Sequence, residues 1–73
     1  MNTVALRLTG AQIEEMIQKS GWMLFHTRGI HRYYRHPKHP GKQITVPVHF
    51  SEMVPGKTLE TILERAVLYV IDL

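Results

Sequence analysis

Residues 22–37 read Trp-Met-Leu-Phe-His-Thr-Arg-Gly-Ile-His-Arg-Tyr-Tyr-Arg-His-Pro, and this stretch decides the fold. Each half is rich in aromatic and other strand-forming residues, so each half suits one β-strand. The glycine between the halves suits a two-residue turn at Arg28-Gly29, and the whole stretch therefore predicts a β-hairpin. With that turn, His26 pairs with His31 on the neighbouring strand.

Side chains alternate between the two faces of such a hairpin, which divides its residues into two sets. The set with more apolar side chains is expected to lie beneath helices, with Arg32 reaching out at the hairpin end. Its apolar members are Met23, Phe25, Ile30 and Tyr34. The set expected to face solvent consists of Trp22, Leu24, His26, His31, Tyr33 and Arg35.

Two amphipathic segments flank the hairpin. Thr9 is followed three residues later by Gln12, which is the capping-box pattern at a helix start. Apolar residues then recur at helical spacing until Gly21, which is expected to end this first helix. Helical spacing returns from Lys57 onward and predicts a second helix. Residues 3–8 suit a short extended lead-in.

The segment between hairpin and second helix predicts a third strand. Residues 37–42 contain two prolines and a glycine and are expected to form a loop. Residues 43–48 alternate apolar and polar positions, and Pro47 favours the sheet edge because it cannot donate a ladder hydrogen bond. The tail, residues 68–73, is unusually apolar. It would extend the helix, add a strand or dock on a partner.

These elements predict an α+β fold in the order α-β-β-β-α. Its three-stranded antiparallel sheet carries both helices on one face, because each helix has one apolar stripe to bury. A chain of 73 residues is expected to form a single domain over residues 1–73. There is no cysteine, which excludes a disulfide framework, and no apolar run that would span a membrane. No export signal is visible, so we expect a cytoplasmic protein.

Positive charge is concentrated around the hairpin. The chain has nine Lys and Arg against six Asp and Glu, and residues 26–42 hold three arginines, two lysines and four histidines without an acidic residue. Such a block is typical of a surface that binds a polyanion, most simply nucleic acid. The plainer interpretation is a solvated hairpin whose charge only aids solubility.

The residue types in this block suit work on an RNA backbone. His31 follows the glycine turn, and an imidazole there is a candidate proton acceptor for a ribose hydroxyl. His26 is a weaker candidate for a second proton-transfer group. Zinc binding is disfavoured, since there is no cysteine and the predicted faces separate His36 from the other pair. The candidates for holding phosphate or stacking on a base are Arg28, Arg35, Lys42 and Tyr33. His36, His39 and His49 are expected to be ordinary loop or strand-end residues.

Several pieces of the chain, in this order and spacing, resemble the HicA (YcfA-like) family of toxins from type II toxin–antitoxin pairs. The resemblance covers roughly residues 9–68. Its carriers are the helix ending in Ser20-Gly21-Trp22, the run 28–37, and the segments 40–47, 55–59 and 62–63. The resemblance implies a fold like that of double-stranded-RNA-binding domains. It also implies metal-independent cleavage of mRNA without a cofactor, arrest of translation, and neutralisation by a HicB-type antitoxin.

The resemblance also assigns roles to residues of the turn. The catalytic histidine of the family follows a Gly-Ser turn, and His31 occupies that position after Gly29. Ile30 stands where the family usually has serine. The alternative function is therefore a non-catalytic RNA-binding or partner-interaction module on the same fold, that is, a degenerate toxin. A third possibility is a partner-binding subunit that docks through its apolar tail.

Overall fold

A computed structural model describes residues 7–71, and describes side chains for residues 7–66. The elements are α1 (Gly10–Lys19), β1 (Met23–Arg28), β2 (His31–His36), β3 (His39–Pro47) and α2 (Gly56–Ile71). The strands form one antiparallel sheet in the order β1-β2-β3. The predicted α+β class and the α-β-β-β-α order are confirmed.

Helix α1 begins and ends where the sequence predicts. The Gln12 backbone N–H donates to Thr9 Oγ1 (3.2 Å), and the Thr9 N–H donates to Gln12 Oε1 (2.9 Å), which completes the capping box. At the other end Gly21 has φ +97°, and the Trp22 N–H donates to the Ile17 carbonyl (3.1 Å). This 6→1 bond and the positive φ are those of a Schellman ending, which favours glycine.

The segment before α1 runs beside the loop that follows β3. Thr9 forms an isolated antiparallel bridge with Met53, and the Val54 N–H donates to the Leu8 carbonyl at 2.9 Å. Most of the predicted extended lead-in, residues 3–6, lies outside the described residues. Gly10 packs so tightly on the end of β3 that a Cβ there would come within 2.4 Å of the Pro47 carbonyl oxygen. These contacts hold the start of α1 against the end of the sheet.

Both helices cover the same face of the sheet, as predicted. Apolar side chains of the helices and the sheet are buried in one cluster: Ile13, Ile17, Trp22, Tyr34, Ile44, Val46, Val54, Leu59 and Ile62. Because α1 and α2 both contribute to this cluster, no helix of the described residues 7–71 lies on the opposite side of the sheet. We call that side the open face.

The predicted hairpin turn is wrong by one residue. The turn consists of Gly29 and Ile30, with φ +59° at the glycine, so His31 pairs with Arg28 and His26 pairs with Tyr33. A positive φ at the first of two central residues suits glycine, which explains why the turn moves onto Gly29. The predicted pairing of His26 with His31 is therefore also wrong.

The face assignment holds along β2 but fails at the start of β1. The pairing of β1 with β2 shifts register between Leu24 and His26, because β1 has one extra residue there that forms a β-bulge. Side chains of β1 that precede the bulge therefore lie on the faces opposite to those predicted. Met23 and Phe25 are consequently exposed, as is Ile30 in the turn, although all three were expected beneath the helices. Trp22, expected in solvent, is 1% exposed. Leu24, also expected in solvent, is 46% exposed, although its pairing with the buried Tyr34 places it on the helix side of the edge strand β1.

The predicted loop over residues 37–42 is too long. The turn occupies only residues 37–38, and β3 runs from His39 to Pro47 at the sheet edge, where Pro47 was expected to be. An edge strand tolerates prolines, and Gly41 takes a positive φ of +87° within it. Helix α2 begins at Gly56 and continues to Ile71, so the tail extends the helix that far. Residues 72–73 lie outside the described residues.

Candidate functional site

The predicted candidates on the hairpin share the open face. His31, Tyr33 and Arg35 alternate along β2 with the buried Tyr34 and His36, so their side chains leave the sheet on the side without helices. Residues directly opposite on paired strands share a face. Arg28, opposite His31, and His26, opposite Tyr33, therefore belong to the same surface. The His31 side chain is exposed there.

Aromatic rings occupy the centre of the open face. The Tyr33 ring centroid lies 5.3 Å from that of His26 and 6.4 Å from that of Phe25. The guanidinium carbon of Arg35 lies 3.8 Å from the Phe25 ring centroid, in a cation–π arrangement. The sequence did not single out Phe25, because the bulge that turns it outward leaves no signal in the alternation. The result is a cluster of tilted aromatic rings on the open face, with a cation over one of them.

A groove at one end of this surface brings two of the predicted cations together. Arg35 and Lys42 both line a groove of about 630 Å³, together with Phe25. Lys42 lies within β3 rather than in a loop, in the stretch where the pairing of β3 with β2 shifts register. Two cations that line one groove are suited to neighbouring phosphates of a nucleic-acid strand.

A second cleft, of about 500 Å³, lies at the other end of the open face, beside the hairpin turn. Its lining includes His31, His49 and Glu52, and we call it the histidine cleft. His49 Nδ1 lies 2.7 Å from Glu52 Oε2. From its sequence position, His49 is expected to be an ordinary loop or strand-end residue. The signal that points to it is the spacing of a histidine and a glutamate three residues apart just after the last strand.

His36, in contrast, is a structural residue. Its Nε2 lies 2.9 Å from the Ser20 carbonyl oxygen, and the Lys38 backbone N–H donates to its Nδ1 at 3.1 Å. The ring is buried and meets the Trp22 ring edge-on, with centroids 5.2 Å apart. One nitrogen donates and the other accepts, which is the bonding of a neutral imidazole protonated on Nε2. His36 thus joins the end of α1 to the end of β2.

A buried network of hydrogen bonds joins the helix side of β2 to α1. Arg32 Nη1 donates to Glu14 Oε1 at 3.2 Å, so Arg32 pairs with α1 as well as reaching the edge of the core. The Tyr34 hydroxyl donates to Glu14 Oε2 at 2.5 Å and accepts from Gln18 Nε2 at 3.2 Å. Burial raises the pKa of the Tyr34 phenol, and the Glu14 carboxylate raises it further. The network keeps the helix-side residues of β2 in place, and therefore also the open-face residues between them.

Over the part of the chain that the structure describes, no helix is long and apolar enough to cross a membrane. Among the same residues, no three histidine or acidic side chains converge in a way that would hold a metal ion. In the histidine cleft, His31 and the His49–Glu52 pair are therefore separate groups on its wall rather than one ligand cluster.

Comparison with known proteins gives one match. A family model described as the HicA toxin of bacterial toxin–antitoxin systems matches residues 10–68. No curated protein matches the chain, and no solved structure matches it. The matched range runs from the start of α1 to the fourth turn of α2. It therefore includes the open face, the groove and the histidine cleft.

Proposed function

Because the chain belongs to the HicA toxin family of bacterial toxin–antitoxin systems, we propose that it cleaves mRNA without a metal ion and so arrests translation. The substrate would be met in the cytoplasm, and a HicB-type antitoxin would neutralise the toxin. The observation that carries the proposal is the exposed His31 on the open face, with Arg28 directly opposite.

In the proposed reaction the RNA supplies its own nucleophile. His31 takes the proton from a ribose 2′-hydroxyl, and the 2′-oxygen attacks the adjacent phosphorus. The bond from phosphorus to the 5′-oxygen then breaks, and that oxygen receives a proton. The products carry a 2′,3′-cyclic phosphate and a 5′-hydroxyl. We assign stabilisation of the extra negative charge on the phosphorane to Arg28, the strand partner of His31.

The rest of the open face would hold the RNA strand. We assign phosphate contacts to Arg35 and Lys42, which share one groove. Tyr33 is assigned to stacking on a base, because single-stranded RNA is commonly held by aromatic faces. Gly29 has a supporting role, since its positive φ forms the turn that precedes His31. His26, beside Tyr33, is the candidate that the sequence offers for a second proton-transfer group.

The test is cleavage of an mRNA transcript by the purified protein in EDTA, beside a His31→Ala variant. We expect cleavage by the wild type and a loss of about 100- to 10,000-fold in the variant, the usual size of general acid–base help. RNA binding should be retained. Products should end in a 2′,3′-cyclic phosphate. Products with a free 3′-hydroxyl, or equal cleavage by both proteins, would contradict the mechanism.

The second candidate function is a non-catalytic RNA-binding or partner-interaction module. Ile30 favours it, because this side chain lies in the turn before His31 and lines the histidine cleft where the family usually has serine. An Ile30→Ser variant separates the two functions. A wild type that binds RNA without cleaving it, and gains cleavage with Ile30→Ser, would identify a degenerate toxin.

A further inference from the structure

We propose that His49, oriented by Glu52, protonates the leaving 5′-oxygen when the RNA strand breaks. The inference rests on the proposed function, because it names the second proton-transfer group of that same reaction. It replaces His26 in this role with a residue on the loop after β3. The argument uses the placement of His49 in the histidine cleft, the turn that holds it and the free nitrogen of its ring.

Strand pairing places His49 diagonally across from His31. His31 is paired with Pro47, and the Val48 N–H donates to the Ile30 carbonyl at 2.7 Å, so His49 follows two residues after the partner of His31. Both histidines line the same cleft. A phosphodiester bound in the cleft would therefore have one imidazole available for the attacking oxygen and another for the leaving oxygen.

A tight turn places the carboxylate on the ring. The Glu52 backbone N–H donates to the His49 carbonyl at 3.1 Å, so the chain folds back and brings the two side chains together. Phe50 within this turn has φ +54°, a left-handed conformation that is uncommon for a residue with a bulky side chain. Such conformations cluster at functional sites, where the surrounding structure maintains them. Here the conformation supports a turn whose result is the 2.7 Å contact between His49 and Glu52.

The contact determines which ring nitrogen can act. Glu52 accepts from the Nδ1–H of His49, which leaves Nε2 as the ring atom without a hydrogen-bond partner among the described residues. With both nitrogens protonated, the ring is a cation beside an anion and can give up the Nε2 proton. That proton passes to the 5′-oxygen as its bond to phosphorus breaks. His31 holds the proton from the 2′-hydroxyl, so the two steps together balance.

His26 is less well placed for this role. It pairs with Tyr33, further along the hairpin than the Arg28–His31 pair, and its ring neighbours are Phe25 and Tyr33. It is not part of the lining of the histidine cleft. Its surroundings suit stacking with a base, whereas those of His49 suit proton transfer.

The test compares two leaving groups. An RNA oligonucleotide with a mapped cleavage position is made in a normal form and in a form with sulfur in place of the bridging 5′-oxygen. A thiolate leaves without a proton, because thiols are far stronger acids than alcohols. We expect His49→Ala to slow cleavage of the normal RNA by about 100- to 10,000-fold. The same His49→Ala variant should cleave the sulfur-containing RNA at nearly the wild-type rate.

His31→Ala and His26→Ala give the comparison its specificity. His31→Ala should be slow on both substrates, because the attacking hydroxyl still needs its base. Rescue by sulfur in His26→Ala, without rescue in His49→Ala, would overturn the inference in favour of His26. Normal cleavage by His49→Ala would also overturn it while leaving the proposed function intact. A wild type that does not cleave RNA at all would refute the proposed function itself.

Glu52 acts through His49 and is a positioning residue, so its test is the same comparison of leaving groups. Glu52→Gln should slow cleavage of the normal RNA and should cleave the sulfur-containing RNA at nearly the wild-type rate, because only the normal leaving group needs a proton from His49. Glu60→Gln, an exposed glutamate of α2, is the matched control and should match the wild type on both substrates. A Glu52→Gln variant that cleaves the normal RNA at the wild-type rate, or that is equally slow on both substrates, would overturn the role of Glu52. The His49 and Glu52 side chains are 48% and 67% exposed, so His49→Ala and Glu52→Gln should both fold.

Discussion

Tyr33 and Tyr34 are neighbours in the chain, yet they serve opposite sides of the sheet. The Tyr34 hydroxyl is buried against Glu14 of α1, whereas the Tyr33 ring lies among Phe25 and His26 on the open face. One tyrosine therefore stabilises the fold, whereas the other lies on the surface that we propose binds RNA. Substitutions at the two positions should have separable effects.

Tyr34→Phe should lower the free energy of unfolding by about 2 kcal/mol, because a hydrogen bond to a charged group usually contributes roughly 1.5–3 kcal/mol. The ring still fills its place in the core, but Glu14 loses a donor and Gln18 loses an acceptor. Urea unfolding measures the difference. Tyr33→Phe is the matched control and should change stability by less than about 0.5 kcal/mol, as surface substitutions usually do. Equal effects of the two variants would contradict the assignment.

The raised pKa of Tyr34 predicts a loss of stability in alkali. Below a pH of about 10, the ordinary pKa of a phenol, Tyr34 is protonated in both the folded and the unfolded chain. Its full contribution to the free energy of unfolding is present there. Above it the unfolded chain loses the proton while the folded chain keeps it, so stability falls as pH rises. Free energies of unfolding should be measured from roughly pH 9 upward, just below the ordinary pKa of a phenol. They should fall more steeply with pH for the wild type than for Tyr34→Phe. Parallel curves would count against the raised pKa.

Gly21→Ala should destabilise the protein more than Gly29→Ala. Both glycines have positive φ, at +97° and +59°, and an alanine in a left-handed conformation costs about 1 kcal/mol. At Gly21 a Cβ would also come within 2.8 Å of His36 Nε2, whereas at Gly29 it meets nothing within 4 Å. Thermal unfolding should rank the two variants in that order. The reverse order would show that the contact between His36 and the end of α1 is less tight than the structure indicates.

Tyr33→Ala should weaken binding of single-stranded RNA by about tenfold, because stacking on one base contributes roughly 1–3 kcal/mol. The measurement needs an RNA with 2′-O-methyl groups, which cannot be cleaved through the 2′-oxygen. The salt dependence of binding should stay the same, since no charge is removed. Unchanged affinity would leave Tyr33 as a strand-forming residue only.

Arg35→Ala should instead reduce the slope of log affinity against log salt by about 0.7, the loss of one phosphate contact on single strands. The same non-cleavable RNA is used. Lys19→Ala is the matched control, because Lys19 is an exposed cation at the end of α1 that pairs with Glu15. Its slope should match the wild type. An equal decrease in both variants would indicate general charge attraction rather than a phosphate site at Arg35.

Local signals predicted the parts of the fold that local contacts determine. Thr9 and Gln12 form both bonds of the capping box, and Gly21 ends the helix, because these interactions lie within a few residues of each other. The alternation along β2 also holds. The start of β1 could not be predicted, because a β-bulge leaves no recognisable pattern in the sequence. The bulge is favoured by the burial of Trp22 beside His36, which is a tertiary contact.

The candidate site was likewise predictable only where local sequence signals exist. His31 was identifiable because it follows a glycine turn within a cationic strand. The relation of His49 to His31 was not, because it depends on the pairing of β2 with β3 and on the turn that brings Glu52 back to His49. Residues that meet only through tertiary structure leave no spacing pattern that links them in the sequence.

The hydrogen bond from Val54 to the Leu8 carbonyl has a practical consequence for work with this protein. It joins Leu8, just before α1, to Val54, a residue of the cleft wall. An expression plasmid that trims the chain up to Thr9 would remove this bond to the cleft wall. Affinity handles and deletions near the amino end should therefore be judged by their effect on cleavage as well as on solubility.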